Sequence, residues 1–221
     1  MNTVDSFIDY LSKLKTPDSM SLNMYYGNSK EAEVRRENLR FYLNEMKRID
    51  PKYIFIGEAP GRWGCFLTGI PFTDENTMVN NPFFKGECKM ISEIIPHKET
   101  SASIIWECLN KIPIDKYPLM WNIYPFHPSN VDFTHHTPEG RGNRKPNGKE
   151  CNLGKETLKE LLGLYKIEQF YAIGCKSRDM LKSKYNNIEY LRHPSFGGAN
   201  IFRERFYNIY NYCCPIKIGI D

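Results

Sequence analysis

Short runs of apolar residues alternate along the chain with segments in which apolar residues recur every three or four positions. Four of these runs are rich in β-branched and aromatic residues, which predicts buried strands at residues 53–56, 119–124, 169–173 and 188–191. Strands that alternate with helices favour a mostly parallel sheet covered on both faces. The predicted fold class is therefore α/β, with three α/β/α layers around a mostly parallel four-stranded central sheet.

Helices are predicted from apolar spacing and from capping residues. The second begins after Ser29, whose hydroxyl can cap it, and carries Glu31 and Glu33 in its first turn. The predicted helices cover residues 4–14, 29–50, 90–95, 104–109, 157–165, 176–184 and 200–210. Most of residues 62–86 and 125–150 are predicted to be loops, because Gly, Pro and Asn are frequent there. We expect a single domain over residues 1–221, with residues 1–50 as a helical extension packed on it.

Composition narrows the class of protein without identifying a function. At 221 residues the chain can bury the core of one α/β domain, and its net charge of +4 permits a polyanionic partner without requiring one. Seven cysteines without a Cys-x-x-Cys spacing indicate neither a disulfide framework nor a zinc ribbon. Residues 1–9 lack the apolar run of a secretory signal, and no stretch has the length of a membrane span. We expect a soluble, cytoplasmic monomer without membrane contact.

The chain is organised around residues 53–61, in which the first strand ends at Gly57 and a turn follows at Pro60 and Gly61. Ligand sites of open α/β sheets lie outside the carboxyl ends of the strands. Glu58 places a carboxylate at such an end, although an ordinary turn would also explain the motif. The pattern matches neither a Walker phosphate loop nor a Gly-x-Gly-x-x-Gly dinucleotide loop.

Two other strands also end in polar residues, Asn122 in the second and His193 after the fourth. In a parallel sheet these ends share one edge, so we expect Glu58, Asn122 and His193 to meet in one cleft. A carboxylate can stabilise a cation, an amide can read a hydrogen-bonding edge, and an imidazole can stabilise an anion. Taken singly, Asn122 could satisfy backbone groups and His193 could belong to a capped turn. Their joint position favours a functional site.

Four short motifs stand at or near these strand ends: Gly57-Glu58-Ala59-Pro60-Gly61, Gly69-Ile70-Pro71-Phe72, Asn122, and His193-Pro194-Ser195. In order and spacing they resemble the uracil-DNA glycosylase superfamily, closest to its families 4 and 5. The resemblance covers roughly residues 53–210. It implies a monofunctional glycosylase of base-excision repair that hydrolyses the N-glycosidic bond of uracil, or of a related deaminated base, flipped out of DNA. It also implies no metal or organic cofactor.

The resemblance gives each residue a role. Phe72 would stack on the flipped base, and the Asn122 amide would bind the Watson–Crick edge of that base. His193 would donate to uracil O2 as negative charge builds on the leaving base, and Glu58 would stabilise the cationic sugar and position water. The expected catalytic residues are Glu58, Asn122 and His193, and the expected substrate-binding residues are Gly57, Ala59, Gly61, Gly64, Phe72 and Asn122. Asp74 or Glu75 could share the role of Glu58, because an acid follows the Phe in family 5.

DNA containing uracil or a related damaged base is the expected partner, contacted by two loops. Ser195 and Phe196 would lie against the duplex, with Phe196 as an apolar wedge in the gap left by the flipped base. The alternative for Phe196 is packing under the last helix. Phosphates would be contacted by Arg141, Arg144, Lys145 and Lys149, unless this loop is only a solvated basic segment.

The chain departs from family 4 at the iron–sulfur cluster. Cys151 matches one of the four ligands, but no Cys-x-x-Cys precedes the first strand and Phe126 stands at another ligand position. One thiolate cannot hold a cluster that takes four, so we expect no cluster. Zinc is not expected either: His127, His135 and His136 lack the accompanying ligand spacing and are predicted to lie at the surface.

A second departure concerns the choice of base. Uracil and thymine differ by the C5 methyl group, so rejection of thymine requires a side chain beside C5. In the related enzymes a Glu at the position of Gly64, or a Tyr at that of Gly61, fills this space. Here both positions are glycine, and Trp63 is the only bulky neighbour that could move into this space. The sequence therefore predicts a relaxed pocket that removes uracil best and tolerates larger C5 substituents or other deaminated bases.

A catalytically silent nucleic-acid-binding or nucleotide-binding protein on the same fold is the alternative, because fold does not determine function. The joint presence of Glu58, Phe72, Asn122 and His193 favours the enzyme, since a silent relative does not need all four.

Overall fold

A computed structural model describes residues 2–130, 142–182, 184–185 and 187–211. Its main strands are β2 (Tyr53–Gly57), β3 (Leu119–Asn122), β5 (Gln169–Ile173) and β6 (Ile188–Leu191), and two short ones are β1 (Ser21–Leu22) and β4 (His127–Pro128). The main strands form one parallel sheet in the order β3-β2-β5-β6, while β1 and β4 pair antiparallel beside it. The predicted α/β class and four-stranded parallel sheet are confirmed.

Helices flank this sheet: α1 (Val4–Lys13), α2 (Lys30–Ile49), α3 (Cys65–Thr68), α4 (Glu75–Asn80), α5 (Thr100–Leu109), α6 (Gly148–Leu162), α7 (Cys175–Lys182) and α8 (Ala199–Ile209). Single 3-10 turns cover Pro82–Phe84 and Ile114–Lys116. None of the described helices is both long and apolar enough to cross a membrane.

Capping side chains fix where the two longest helices begin. The Ser29 hydroxyl accepts from the backbone N–H of Ala32 at 3.2 Å, as predicted for α2. At α6 the Asn147 side chain accepts from the N–H of Glu150 at 3.0 Å, and the Glu150 carboxylate accepts from the N–H of Asn147 at 2.7 Å. This reciprocal capping box starts α6 well before residue 157, where apolar periodicity alone placed it.

The helix predicted over residues 90–95 is wrong, and Glu75 gives the reason. Its Oε1 accepts from the backbone N–H groups of Ile91 and Ser92, both at 2.9 Å, and its Oε2 accepts from that of His97 at 3.3 Å. N–H groups bound to a buried carboxylate follow a path set by that carboxylate, and not by the local apolar spacing. The loop predicted over residues 62–86 contains the short helices α3 and α4.

Aromatic side chains join the layers. Phe55 of β2 and Phe206 of α8 meet edge to face with ring centroids 6.0 Å apart, and Trp121 of β3 meets Phe7 of α1 at 5.7 Å. Because Trp121 pairs with Ile56, the residue after Phe55, these contacts lie on opposite faces of the sheet. The N-terminal helices therefore form part of the layer that buries one face.

Helix α2 also holds the loop after β2. Arg35 Nε donates to the carbonyl of Phe66 at 2.7 Å, and Asn38 Nδ2 donates to that of Thr68 at 2.9 Å. Gly69 has a φ of 76°, and a Cβ there would lie 2.6 Å from the Arg35 carbonyl oxygen. The close approach and the left-handed backbone both require glycine at this position.

Candidate active site

A cleft of about 870 Å³ opens at the carboxyl edge of the sheet. Gly57 pairs with Asn122 in the register between β2 and β3, so these two strands end side by side. The lining includes Glu58, Ala59, Pro60, Gly61, Cys65, Phe72, Glu99, Ser101, Asn122, Lys145, Lys176, His193, Ser195 and Phe196. The polar residues predicted to converge from three strand ends therefore do lie in one cleft.

Gly57 lies behind the inner wall of the cleft. A Cβ on it would lie under 3.0 Å from the Phe72 ring and 2.7 Å from Asn122 Oδ1. Only a glycine therefore lets the aromatic ring and the amide approach β2 side by side. An aromatic face beside an amide edge is an arrangement suited to a flat, hydrogen-bonding ring such as a nucleobase.

Phe72 is buried and has a φ of 52°, in the left-handed region that bulky residues rarely adopt. Its neighbours hold this conformation. The Thr68 hydroxyl donates to the Thr73 carbonyl at 2.8 Å, and Trp106 Nε1 donates to the Thr73 hydroxyl at 3.1 Å. Strained backbone of this kind persists where the surroundings impose it, and it is concentrated at functional sites.

Glu58 follows β2 and is half-buried at the cleft. Burial raises the pKa of its carboxyl, and the charge of Lys145 partly offsets this rise. Lys176 Nζ lies 3.8 Å from Glu58 Oε1. The raised pKa makes the Glu58 carboxylate more basic than a solvated one, while the charges of Lys145 and Lys176 favour its ionised form.

His193 follows β6, and its hydrogen bonding selects a tautomer. Its Nδ1 accepts from the backbone N–H of Ser195 at 3.2 Å, so the neutral ring carries its proton on Nε2. Burial and the nearby Arg192 guanidinium lower the pKa of His193. At neutral pH the ring is therefore a neutral hydrogen-bond donor.

A family model described as the uracil DNA glycosylase superfamily matches residues 44–211. The chain belongs to that superfamily. Membership supports a glycosylase of the hydrolase class in general. The superfamily fold also appears in the crystal structure of wild-type Pedobacter heparinus SMUG2. The two structures superpose with a TM-score of 0.68 and 18% sequence identity, over 94% of this chain and 97% of that chain. No curated protein matches this chain in sequence.

The two protein loops that are predicted to contact DNA both carry side chains exposed to solvent at the cleft. Phe196 is 94% exposed with a φ of 55°, so the alternative that it packs under the last helix is wrong. Ser195 lines the cleft beside it, and Lys145 is exposed at the mouth. Arg141 lies outside the described residues, and the contacts that these groups make with DNA stay predictions.

Arg144 is occupied within the protein. All five of its N–H donors have partners: Nε donates to Ser129 O at 2.7 Å, and the remaining donors reach the Glu150 carboxylate at 2.6 and 2.7 Å and the carbonyls of Met20 and Lys145. These bonds tie the segment before α6 to β1 and β4. The predicted phosphate contact of Arg144 would therefore require some of these hydrogen bonds to break.

Asp74 or Glu75 was predicted to be able to share the role of Glu58. Both are fully buried, and neither lines the cleft. The Asp74 carboxylate caps α4 through the N–H of Thr77 at 2.7 Å and accepts from the N–H of Glu99 at 2.6 Å. Glu75 is occupied by the backbone of residues 91–97. Since both carboxylates are committed to backbone groups, Glu58 stays the candidate base.

The predicted surface position of His127 is wrong. Its ring is fully buried, with Nδ1 2.9 Å from the carbonyl oxygen of Pro60, and it packs on Phe66. It therefore supports the loop that carries Glu58. His135 and His136 lie outside the described residues. The two residues at iron–sulfur ligand positions have these surroundings: Phe126 is buried beside Tyr124, and the Cys151 thiol lies 3.8 Å from the Pro146 carbonyl oxygen.

Glu99 is a lining residue that the sequence did not point to. It stands directly before α5, and its carboxyl occupies the space that side chains on Gly61 and Gly64 would fill. Trp63, in contrast, stacks on His97 with ring centroids 4.5 Å apart and does not line the cleft. The interpretation of Trp63 as the only bulky neighbour of this space is wrong.

Proposed function

We propose that this protein is a monofunctional DNA glycosylase that releases uracil, or a related deaminated base, from DNA and leaves an abasic site. The observation that carries the proposal is the set of groups gathered at one sheet edge: an aromatic face, an amide, a neutral imidazole that donates from Nε2, and a carboxylate. Membership of the superfamily supports the same class of reaction.

The inner wall would bind the flipped base. Phe72 would stack on the face of the base, while the Asn122 amide would donate to and accept from its Watson–Crick edge. Cys65 supports this arrangement, because its thiol is within hydrogen-bonding reach of both the Asn122 amide and the Tyr25 hydroxyl. Burial raises the pKa of the Cys65 thiol far above neutrality, so the thiol is neutral and is not a nucleophile.

The bond between sugar C1′ and the base nitrogen would break with its electron pair leaving on the base. His193 would stabilise that charge by donating from Nε2 to the uracil O2. A neutral donor suits this role, since the lowered pKa of His193 keeps the ring neutral, with the Nε2–H already directed by the Ser195 N–H. The tautomer required by the mechanism is thus present before substrate binds.

Glu58 would act on the sugar side. Its carboxylate would stabilise the positive charge that develops at C1′, position the attacking water and accept a proton from it. Burial raises the pKa of Glu58, which makes it a better base than a solvated carboxylate, and the charges of Lys145 and Lys176 favour its ionised form.

On the DNA side, Phe196 would fill the gap left by the flipped nucleotide. Its nearly complete exposure supports this role, because a bulky apolar side chain gains little from contact with water. Lys145, exposed at the cleft, would contact a phosphate.

Base release from a labelled duplex with one U·G pair tests the proposal. Alkali would then cleave at abasic sites, and free uracil would be detected by mass spectrometry. We expect stoichiometric uracil with a matching amount of abasic strand, and none from an otherwise identical C·G duplex. Tight binding of the U·G duplex without base release would instead favour the catalytically silent binding protein.

A further inference from the structure

The space beside the two glycines of the base pocket is filled from another part of the chain. A Cβ on Gly61 or on Gly64 would lie under 3.0 Å from a carboxyl oxygen of Glu99. The oxygens that make this contact belong to the flexible end of a side chain, and no backbone is involved. Glycine at both positions therefore makes room for the Glu99 carboxyl.

The carboxyl faces the part of the cleft that would hold the base. Cys65 follows Gly64 directly and lines the same cleft. Its thiol hydrogen-bonds with the Asn122 amide, and the charge of Glu99 raises the pKa of the thiol. Asn122 in turn packs beside the Phe72 ring at Gly57. Glu99, Cys65, Asn122 and Phe72 thus form one continuous wall.

The Glu99 backbone is held in place by buried carboxylates. Its N–H donates to Asp74 Oδ2 at 2.6 Å, and its carbonyl accepts from Ser103 in the first turn of α5 at 3.0 Å. Upstream, Glu75 binds three backbone N–H groups of residues 91–97. We call residues 91–99 the wall segment. Groups fixed in this way are pre-organised for recognition.

We propose that Glu99 is the specificity-determining residue of the base pocket. Its carboxyl takes the place beside C5 of the base and favours uracils that carry hydrogen or a hydrogen-bonding substituent there over thymine. The inference rests on the proposed function and names the substrate class of that site, namely uracil and 5-hydroxymethyl-type uracils.

The chemistry of the carboxyl supports this preference. Burial and the charge of Asp74 raise the pKa of Glu99 to about 7, although a hydrogen bond from Ser101 lowers it. Near neutral pH the group therefore populates its neutral form, which both donates and accepts. A hydroxymethyl group can pair with it once the side chain shifts. A methyl group would take up the same space and leave the carboxyl desolvated without a partner, which is unfavourable for a polar group.

Single-turnover release of uracil, 5-hydroxymethyluracil and thymine, each opposite G, tests the inference. The two substituted bases are close in size, so the ratio of their rates reports on hydrogen bonding beside C5. We expect wild type to favour 5-hydroxymethyluracil over thymine by roughly tenfold or more. Glu99→Ala should bring the ratio close to one and raise thymine release relative to uracil, whereas Glu99→Gln, which keeps size and hydrogen bonding, should retain the preference.

Glu93→Ala is the matched control, since it removes an exposed carboxylate from the same wall segment, and its ratios should equal those of wild type. Glu99→Asp serves if Glu99→Ala fails to fold. An unchanged ratio of 5-hydroxymethyluracil to thymine in Glu99→Ala, or in Glu99→Asp where that variant replaces it, would overturn the inference while uracil release stands. If wild type releases no base at all, the proposed function fails instead. In that case the affinities of wild type and of Glu99→Ala for 2′-fluoro versions of the three duplexes still measure the preference for 5-hydroxymethyluracil over thymine.

Discussion

The two sides of the cleft are held by different means. On the proposed catalytic side, Glu58 and His193 follow the ends of parallel strands, so the sheet register sets their positions. On the proposed selecting side, Glu99 stands at the end of an irregular segment whose backbone is bound by the carboxylates of Asp74 and Glu75. One side relies on backbone pairing, and the other relies on side-chain-to-backbone hydrogen bonds. Rate and choice of base should therefore respond to different substitutions.

The largest expected effect is on rate, at the catalytic side. His193→Ala and Glu58→Ala should each lower single-turnover uracil release by roughly 10²–10³, because each removes a group that stabilises developing charge. Wild-type rates should also fall as pH drops through the raised pKa of Glu58, because protonation removes the carboxylate. Glu58→Gln should lose this acid limb. Rates within a few-fold of wild type in well-folded variants would refute the assigned roles.

The next effect is on stability, at the selecting side. The pKa of Glu99 rises from 4.5 to about 7 in the folded protein, so the fold favours the neutral carboxyl. The contribution of the neutral Glu99 carboxyl to the free energy of unfolding is fully present below pH 4.5 and is lost as pH rises through 7. Wild type should thus lose stability relative to Glu99→Gln between pH 5 and pH 8, by on the order of 3 kcal/mol. Denaturant unfolding at both pH values measures the difference, and Glu93→Gln is the control. A difference that is independent of pH would contradict the buried, neutral carboxyl.

A smaller effect is expected where the wall segment is anchored. Glu75→Gln replaces an acceptor oxygen with an amide that cannot accept from the backbone, so we expect a loss of about 1–3 kcal/mol in unfolding free energy. The wall segment should loosen, and thymine release should rise relative to uracil. Uracil release itself should stay within a few-fold of wild type, since the strand ends do not move. Thermal unfolding and the two release rates are the measurements. Loss of uracil release with unchanged selectivity would mean that the two sides are not separable.

The smallest effect should come from Phe196. Phe196→Ala removes an exposed apolar group from the rim, and the loss of about 1–2 kcal/mol of apolar contact with DNA corresponds to roughly tenfold in rate. The loss should appear on duplex DNA and not on single strands, where no gap needs filling. Ile114→Ala is the control, because it removes a half-exposed apolar side chain that does not line the cleft. Equal losses on both kinds of DNA would argue against a wedge.

The same contrast explains what could be predicted from the sequence. Glu58, Asn122 and His193 were predictable, because apolar runs indicate strands and parallel strands place their carboxyl ends together. Glu99 was not, because its position depends on the hydrogen bonds of Asp74 and Glu75, which follow no periodicity. From the sequence, those two carboxylates were instead considered as catalytic candidates. The hydrogen bonds of Glu75 also explain why the helix predicted over residues 90–95 does not form. The hydrogen bonds of Arg144 could not be predicted for a related reason, since sequence cannot distinguish a solvated guanidinium from one bound to Glu150.

One panel of single-turnover rates tests most directly whether catalysis and base selection are divided between the two sides of the cleft. It measures uracil and thymine release opposite G by wild type, His193→Ala and Glu99→Ala. We expect His193→Ala to lower both rates by a similar factor and to leave their ratio unchanged. Glu99→Ala should shift the ratio toward thymine by roughly tenfold while uracil release stays within a few-fold of wild type. If His193→Ala shifts the ratio as much as Glu99→Ala does, or if Glu99→Ala lowers both rates equally, the division is contradicted.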